Sequence, residues 1–267
     1  VPIEGSTQLA VAPVDRPPGT IAAPQLEPTV ARAVAFLRER AVESIAVADI
    51  ADAVGYSEFH FTRLFTGALG VSPGRYLAAV RFQRAKELLL TGDAGVLDVC
   101  HAVGFASTGT FTRRFTDHVG VAPASLRRVA DRLAGPALTP FSRHPAQARS
   151  SIEARVHIPD ELRPELGTDP LVWVGLFPRP VPSGQPAAGV LRRGDGPVRL
   201  PAVGGSPWLL VTAVRATADP LDHLVPARPV IGGHPTPVRG GQCVTVWMRH
   251  ADPLSHPLLI ALASMAP

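Results

Sequence analysis

One segment of this chain occurs twice. DIADAVGYSEFHFTRLFTGALGVSP, from Asp49 to Pro73, matches DVCHAVGFASTGTFTRRFTDHVGVAP, from Asp98 to Pro123, with an offset of 49 residues before the central turn and 50 after it. Each copy reads as a short helix, a glycine turn, an aromatic residue, a serine and a second helix that ends in glycine. Gly55 and Gly104 stand where a helix closes in the left-handed region, which glycine enters cheaply, and Ser57 and Ser107 stand where a side chain caps the next helix. Gly70 and Gly120 end the second helices. Pro73 after Ser72 starts another helix, whereas Ala122 before Pro123 lacks a capping side chain, so that start is expected to be weaker.

Within the second helices Phe61, Phe65 and Leu69, and their counterparts Phe111, Phe115 and Val119, recur every four residues and are expected to face a core. The opposite face then carries Phe59, Thr62, Arg63 and Thr66 in the first copy and Gly109, Thr112, Arg113 and Thr116 in the second. Threonine and arginine on a short helix suit the base edges of a DNA major groove. A single such face also reads as an ordinary solvated surface, but independent solvated faces have little reason to repeat Thr-Arg at one phase behind one turn. Phe59 is open to two readings, a partly buried neighbour of the turn or a group that stacks on thymine methyls or sugars. Between the copies, GRYLAAVRFQRAKELLL (Gly74–Leu90) has helical spacing and spans roughly 25 Å at about 1.5 Å per residue, enough to hold two such helices near successive major grooves about 34 Å apart.

The pattern of both copies resembles the DNA-binding domain of the AraC family of transcriptional regulators, a domain with two helix-turn-helix units. The resemblance covers residues 28–132, with the units at about 47–69 and 96–119. It implies that Phe59, Thr62 and Arg63 in the first unit, and Thr108, Gly109, Thr112 and Arg113 in the second, lie at base-reading or groove-facing positions, with Ser57, His60 and Ser107 at backbone contacts. Glu58 departs from the pattern by setting a negative charge beside phosphates, although a carboxylate can accept from cytosine N4. Gly109 removes a base contact and weakens its helix by about 1 kcal/mol.

Composition changes at about residue 133. The last 135 residues hold 21 prolines and 13 glycines, against 8 prolines in the first 132, so long helices are not expected there. Strands are expected at 152–158, 171–177, 187–192, 198–200, 208–214 and 242–249, which suits a small antiparallel sandwich. GPVRLPAVGGSPWLLVTAV looks similar to the strand, proline turn, strand run of transthyretin-like or carboxypeptidase regulatory-like sandwiches. The chain as a whole is therefore expected to have two domains. These are an all-α double helix-turn-helix domain and an all-β sandwich at 152–267, joined by a linker at 133–151 and preceded by a flexible Pro-rich leader at 1–27. Trp173, Trp208 and Trp247 are expected to fill the core between the sheets.

Double-stranded DNA is the expected partner, with RNA polymerase and a small-molecule effector as further candidates. Of 26 basic residues Lys86 is the sole lysine; arginine favours bidentate contacts to phosphate and guanine, although GC-rich coding gives the same bias. No apolar run is long enough for a membrane span and the first residues do not read as a signal peptide, so a cytoplasmic, nucleoid-associated location is expected. The sequence contains no GxSxG, Walker loop or GxGxxG, and His223, His234, His250 and His256 lack metal-ligand spacing, so no catalytic residue, cofactor or metal is expected. Two other functions stay open at this point. One is a carbohydrate- or protein-binding sandwich for which DNA contact is accessory. The other is alkylation repair through Cys243, which sits in GGQCVTVW without a base beside it.

Overall fold

The computed structural model describes residues 28–134, 138–144 and 150–261. The expected leader at 1–27, and 135–137 and 145–149 of the expected linker, lie outside the described residues. The helical part runs α1 (Pro28–Glu39), α2 (Val47–Val54), α3 (Glu58–Leu69), α4 (Pro73–Thr91), α5 (Val96–Ala102), α6 (Thr108–Val119) and α7 (Pro123–Leu133). The two copies of the repeat become α2–α3 and α5–α6, and α4 joins them.

Each copy encloses its own core. Val34 and Leu37 of α1, Ile50 of α2, Phe61 and Phe65 of α3 and Tyr76 of α4 form the first. Phe82 and Leu89 of α4, Val99 and Cys100 of α5, Phe111 and Phe115 of α6 and Leu126 of α7 form the second. In the second, Phe82 lies 5.4 Å from Phe105, 6.2 Å from Phe111 and 5.7 Å from Phe115 between ring centroids, a cluster in the range where aromatic pairs add to simple burial. Helix α4 serves both cores, which is why it buries more than one face. Ser72 precedes it but forms no side-chain cap bond, and neither does Ala122 before α7. The expected difference in capping between these starts is therefore absent; both rest on proline at the first helical position.

The second part is rich in strands: β1 (Phe141–Arg143), β2 (Ser151–His157), β3 (Leu171–Phe177), β4 (Ala188–Arg193), β5 (Gly196–Pro201), β6 (Trp208–Val214), β7 (Val230–Gly233), β8 (Cys243–Trp247) and β9 (Arg249–His250), with short helices α8 (Arg163–Leu166) and α9 (Pro220–Leu224). They pair as a six-stranded sheet, β1-β4-β3-β6-β7-β9, and a three-stranded sheet, β5-β2-β8. β2 and β8 run parallel and the other pairs antiparallel. Ile152, Ala154 and Val156 of β2 share one apolar cluster with Val172, Val174 and Leu176 of β3 and with Leu209 and Val211 of β6. Alternate residues of β3 point the other way, and Leu171, Trp173 and Phe177 form a separate cluster with Leu191, Leu258 and Ile260. Strand β3 is consequently buried on both faces.

Four features differ from the sequence reading. The expected antiparallel pairing fails at β2 and β8, which run parallel because the chain returns to β2 by a long excursion rather than a hairpin. Strand β1 lies inside the stretch expected to be a linker and pairs with β4. Strand β7, bounded by proline and glycine, was not among the expected strands. None of the three tryptophans belongs to the cluster between the sheets. Trp173 sits on the outer face of the six-stranded sheet, because alternation sets it opposite Val172 and Val174 and because that outer face is itself covered. Its indole lies across the paired Gly175 and Gly189. A Cβ on Gly175 would lie 2.7 Å from the indole nitrogen, and one on Gly189 would collide with the ring.

The cover over that outer face is the segment after β9. Leu258 and Ile260 turn toward the sheet cluster, whereas Leu259 and Ala261 enter the core of the second helical unit, an alternation that extended backbone imposes. Leu259 donates its N–H to Pro182 O at 3.2 Å and Ala261 to Val119 O at 3.3 Å. Lys86 of α4, fully buried, donates through Nζ to Leu258 O at 3.1 Å and Leu259 O at 3.2 Å. The helical and β-rich parts therefore share apolar contacts and buried hydrogen bonds.

Burial pushes the Lys86 amine down from 10.5 to about 7. Below pH 7 the folded protein carries the full cost of an enclosed ammonium. Between about 7 and 10.5 the unfolded chain holds a proton that the folded chain has released, so stability rises with pH across that window. Thermal unfolding of the full chain followed by circular dichroism should show this rise, and Lys86→Met should flatten it. An equal slope in both proteins would mean that Lys86 does not titrate inside the fold.

Candidate nucleic-acid interface

The two units are built alike in their local chemistry. Asp49 accepts from the N–H of Ala46 at 2.7 Å and Asp98 from that of Gly95 at 3.3 Å, closing the first turns of α2 and α5. Gly55 and Gly104 have φ of 80° and 78°, where a side chain is strained. At Gly104 a Cβ would also lie 2.8 Å from Val42 O. Ser57 Oγ then accepts from His60 N–H at 3.4 Å, and Ser107 Oγ from Thr110 N–H at 3.3 Å, so both expected caps form.

Arginines pin the loops before each unit. Arg81 donates to Ala41 O at 2.6 Å and Glu43 O at 2.7 Å. Arg127 donates to Leu89 O, Gly92 O and Ala94 O at 2.7 to 2.8 Å. These guanidiniums satisfy carbonyls that a helix end leaves open and are occupied by the fold.

Other arginines are not so engaged. With Phe61, Phe65, Phe111 and Phe115 fully buried, α3 and α6 expose matching positions: Phe59 and Gly109, and Arg63 and Arg113. Thr62 and Thr112 are half-buried. Phe59 is 74% exposed, which removes its reading as a buried neighbour of the turn. The Arg63 guanidinium lies 5.8 Å from the Phe59 ring centroid, a cation–π distance across one helical turn. Arg113 has glycine at the equivalent place and makes no hydrogen bond or ion pair among the described residues. Glu58, His60 and Ser107 are exposed, and Thr108 is half-buried. His60 stacks on Tyr56 at 5.1 Å. All of the sequence-derived site residues thus belong to the N-terminal two turns of α3 and α6 or to the caps before them.

Two threonines expected on the outward face do not present free hydroxyls. Thr116 donates back to Thr112 O at 2.8 Å, a bond that helical threonines readily form, and Thr66 Oγ1 is buried. The β-rich part approaches the opposite ends of the same helices. Gly184 N–H donates to His118 O at 2.6 Å and Gln185 donates to Gly120 O at 3.2 Å. A Cβ on Gly70 would lie 2.6 Å from Pro180 Cγ. The N-terminal turns stay open.

Sequence reasoning missed one group of charges. Arg75 of α4, Arg114 of α6 and Arg179 after β3 come close enough that, after desolvation, the other two guanidiniums hold Arg75 below its ordinary value. Arg114 also lies 5.7 Å from the Phe105 ring centroid, and none of the three has an acidic partner among the described residues. Their separation along the chain left no local signal. Cys243 is exposed on β8, an edge strand, and Cys100 is buried.

Residues 50–129 match the model of a family described as a helix-turn-helix domain. A probable transcription factor, PqrA, from Proteus vulgaris is 36% identical over 85 residues, which are 32% of this chain and 70% of that protein. The chain belongs to the AraC family of transcriptional regulators. The lactose operon transcription activator of Staphylococcus xylosus is 30% identical over 98 residues, 37% of this chain and 35% of its own length. An AraC-type transcriptional regulator of known structure from Chromobacterium violaceum is 30% identical, covering 38% of this chain and 90% of that one with a TM-score of 0.36. Against the Staphylococcus xylosus activator, then, the match spans about a third of the relative's length. These AraC-family relatives are named as transcription factors, activators and regulators, not as enzymes. The resemblance drawn from the repeat holds over residues 50–129.

Gly109 can be tested apart from any ligand. A Cβ there would meet nothing closer than Ser107 Oγ at 4.0 Å. Gly109→Ala should raise stability by about 0.5 to 1 kcal/mol in chemical denaturation, from reduced freedom of the unfolded chain and better helix propensity. Destabilisation would contradict an open, unstrained position.

Proposed function

We propose that this chain reads specific sequences in double-stranded DNA by inserting α3 and α6 into successive major grooves, and that its work is therefore done at the nucleoid. The observation that carries this reading is the matched exposure of Arg63 and Arg113 at one phase of two helices whose phenylalanines are buried. Helix α4, with 19 residues, is about 28 Å long at the helical rise, close to the spacing of grooves one turn apart. Arg63 and Arg113 donate to guanine O6 and N7, and Thr62 and Thr112 contact neighbouring bases. Phe59 packs on a thymine methyl and Glu58 accepts from cytosine N4. Thr108 faces the groove beside Gly109, while Ser57, His60 and Ser107 fix register on the backbone and the Arg75, Arg114 and Arg179 cluster adds positive field. Gly109 leaves the second unit with fewer base contacts than the first.

The β-rich part is a two-sheet sandwich on this reading. It docks at the far ends of the reading helices and leaves the groove-facing turns free to meet DNA, with RNA polymerase or an effector as further partners of the regulator.

Binding to a selected site should weaken steeply with salt. Arg113→Ala should cost about 1 to 3 kcal/mol on that site and relax discrimination at one base pair, measured by competition with single-substitution sites. Arg75→Ala should weaken cognate and random DNA alike. A uniform loss from Arg113→Ala across all sequences would reduce that residue to a phosphate contact and end its assignment as a base reader.

A further inference from the structure

A cleft of about 860 Å³ lies between the helical part and the outer face of the six-stranded sheet, a volume within the range of pockets that hold small organic ligands. The register builds one wall. Trp173 pairs with Thr212 and Thr212 with Ile231, while Phe177 pairs with Trp208, so these side chains fall on the same sheet face. The facing wall is the last turn of α3, from Gly67 to Leu69, together with Tyr76 and the strip from Asp252 to Ile260. All three tryptophans of the chain line this cleft. Trp208 and Trp247 are half-buried, and Trp173 is 1% exposed with an indole N–H that has no hydrogen-bond partner. A buried donor left unpaired is costly, and an acceptor recovers that cost.

The charges at the walls leave little net field inside. Arg249 and Asp252 pair with each other at 3.0 Å. Asp160 is exposed and bonds Arg163, and Glu161 is exposed. Burial pushes the His256 imidazole down to about 4 and the Tyr76 phenol up, so both are neutral near pH 7. The Tyr76 hydroxyl is engaged, accepting from Arg38 and donating to Ser255 O.

We propose that this cleft binds a neutral aromatic small molecule that packs on Trp208 and Trp247 and offers a hydrogen-bond acceptor to the indole N–H of Trp173. The cleft shares Gly67, Ala68 and Leu69 with the helix that presents Arg63, so the ligand touches a reading helix from the side away from the groove-facing turns.

Because the chain has no other tryptophan, its intrinsic fluorescence reports on the cleft alone. The full chain is titrated with prodan, a neutral naphthyl ketone that absorbs where tryptophan emits. Saturable energy transfer in the micromolar range is expected. Leu210→Arg, which places a cation on a half-buried cleft position, should weaken binding by about tenfold or more while circular dichroism and the thermal midpoint hold. Should that variant fail to fold, Thr245→Arg at an exposed cleft position on β8 makes the same comparison. Trp173→Phe, which keeps a ring but removes the donor, should weaken prodan severalfold. Absence of saturable transfer overturns the proposal, as does equal binding by the folded arginine variants. Binding that emerges only after residues 1–27 are removed assigns the cleft to that segment and overturns it as well. No DNA is present in these measurements, so their failure leaves the reading of DNA by α3 and α6 untouched.

Discussion

Burial of phenylalanine pairs four residues apart sets the rotation of two short helices, and what those helices offer to a partner follows from that rotation. Phe61 and Phe65 in α3, and Phe111 and Phe115 in α6, are fully enclosed. Burial of each is worth roughly 2 to 3 kcal/mol, far more than any single exposed contact on the other side of the helix. With that side fixed inward, Arg63 and Arg113 have one direction left, outward beside Thr62 and Thr112. The glycine turns and serine caps before each helix fix where it begins, and the arginines bound to loop carbonyls hold the loops. The exposed arginines are thus presented by elements whose own polar groups are already satisfied.

The same packing logic ties the β-rich part to the helical part. One extended strip turns Leu259 and Ala261 into the second helical core and Leu258 and Ile260 onto the sheet. Its carbonyls would lie unpaired beneath α4 without the donor that Lys86 supplies. In a chain whose other basic side chains of the Lys/Arg type are all arginine, the lysine brings a slender point donor to this enclosed place rather than a planar fork. Leu259 and Ala261 belong to the same apolar core as Phe82, Phe115 and Leu126, so the helical part and the sheets are not interchangeable beads on a string.

What could be read from the sequence follows the range of the interactions concerned. The helix boundaries of both units, the αL glycines and the serine caps depend on residues within a turn or two of one another, and their signals survive in the order of residues. Strands β3 and β6 were legible because each is a seven-residue apolar run between breakers. Strand β1 has three residues, no period and a proline before it, and it exists only because β4 offers an edge. The placement of Trp173 on the outer face needed knowledge that a distant strip covers that face, and the meeting of Arg75, Arg114 and Arg179 needed the tertiary fold. Hydroxyl direction was also beyond reach: Thr116 has the right phase to point outward, but the Thr112 carbonyl is a nearer acceptor.

Selection of bound sites from random DNA by the full chain, run in parallel for the original protein, Arg63→Ala and Arg113→Ala, tests the central claim most directly. The account predicts one enriched motif with two base clusters about one helical turn apart, the first blurred by Arg63→Ala and the second by Arg113→Ala. A motif confined to one cluster, or one that both substitutions leave intact, would contradict it.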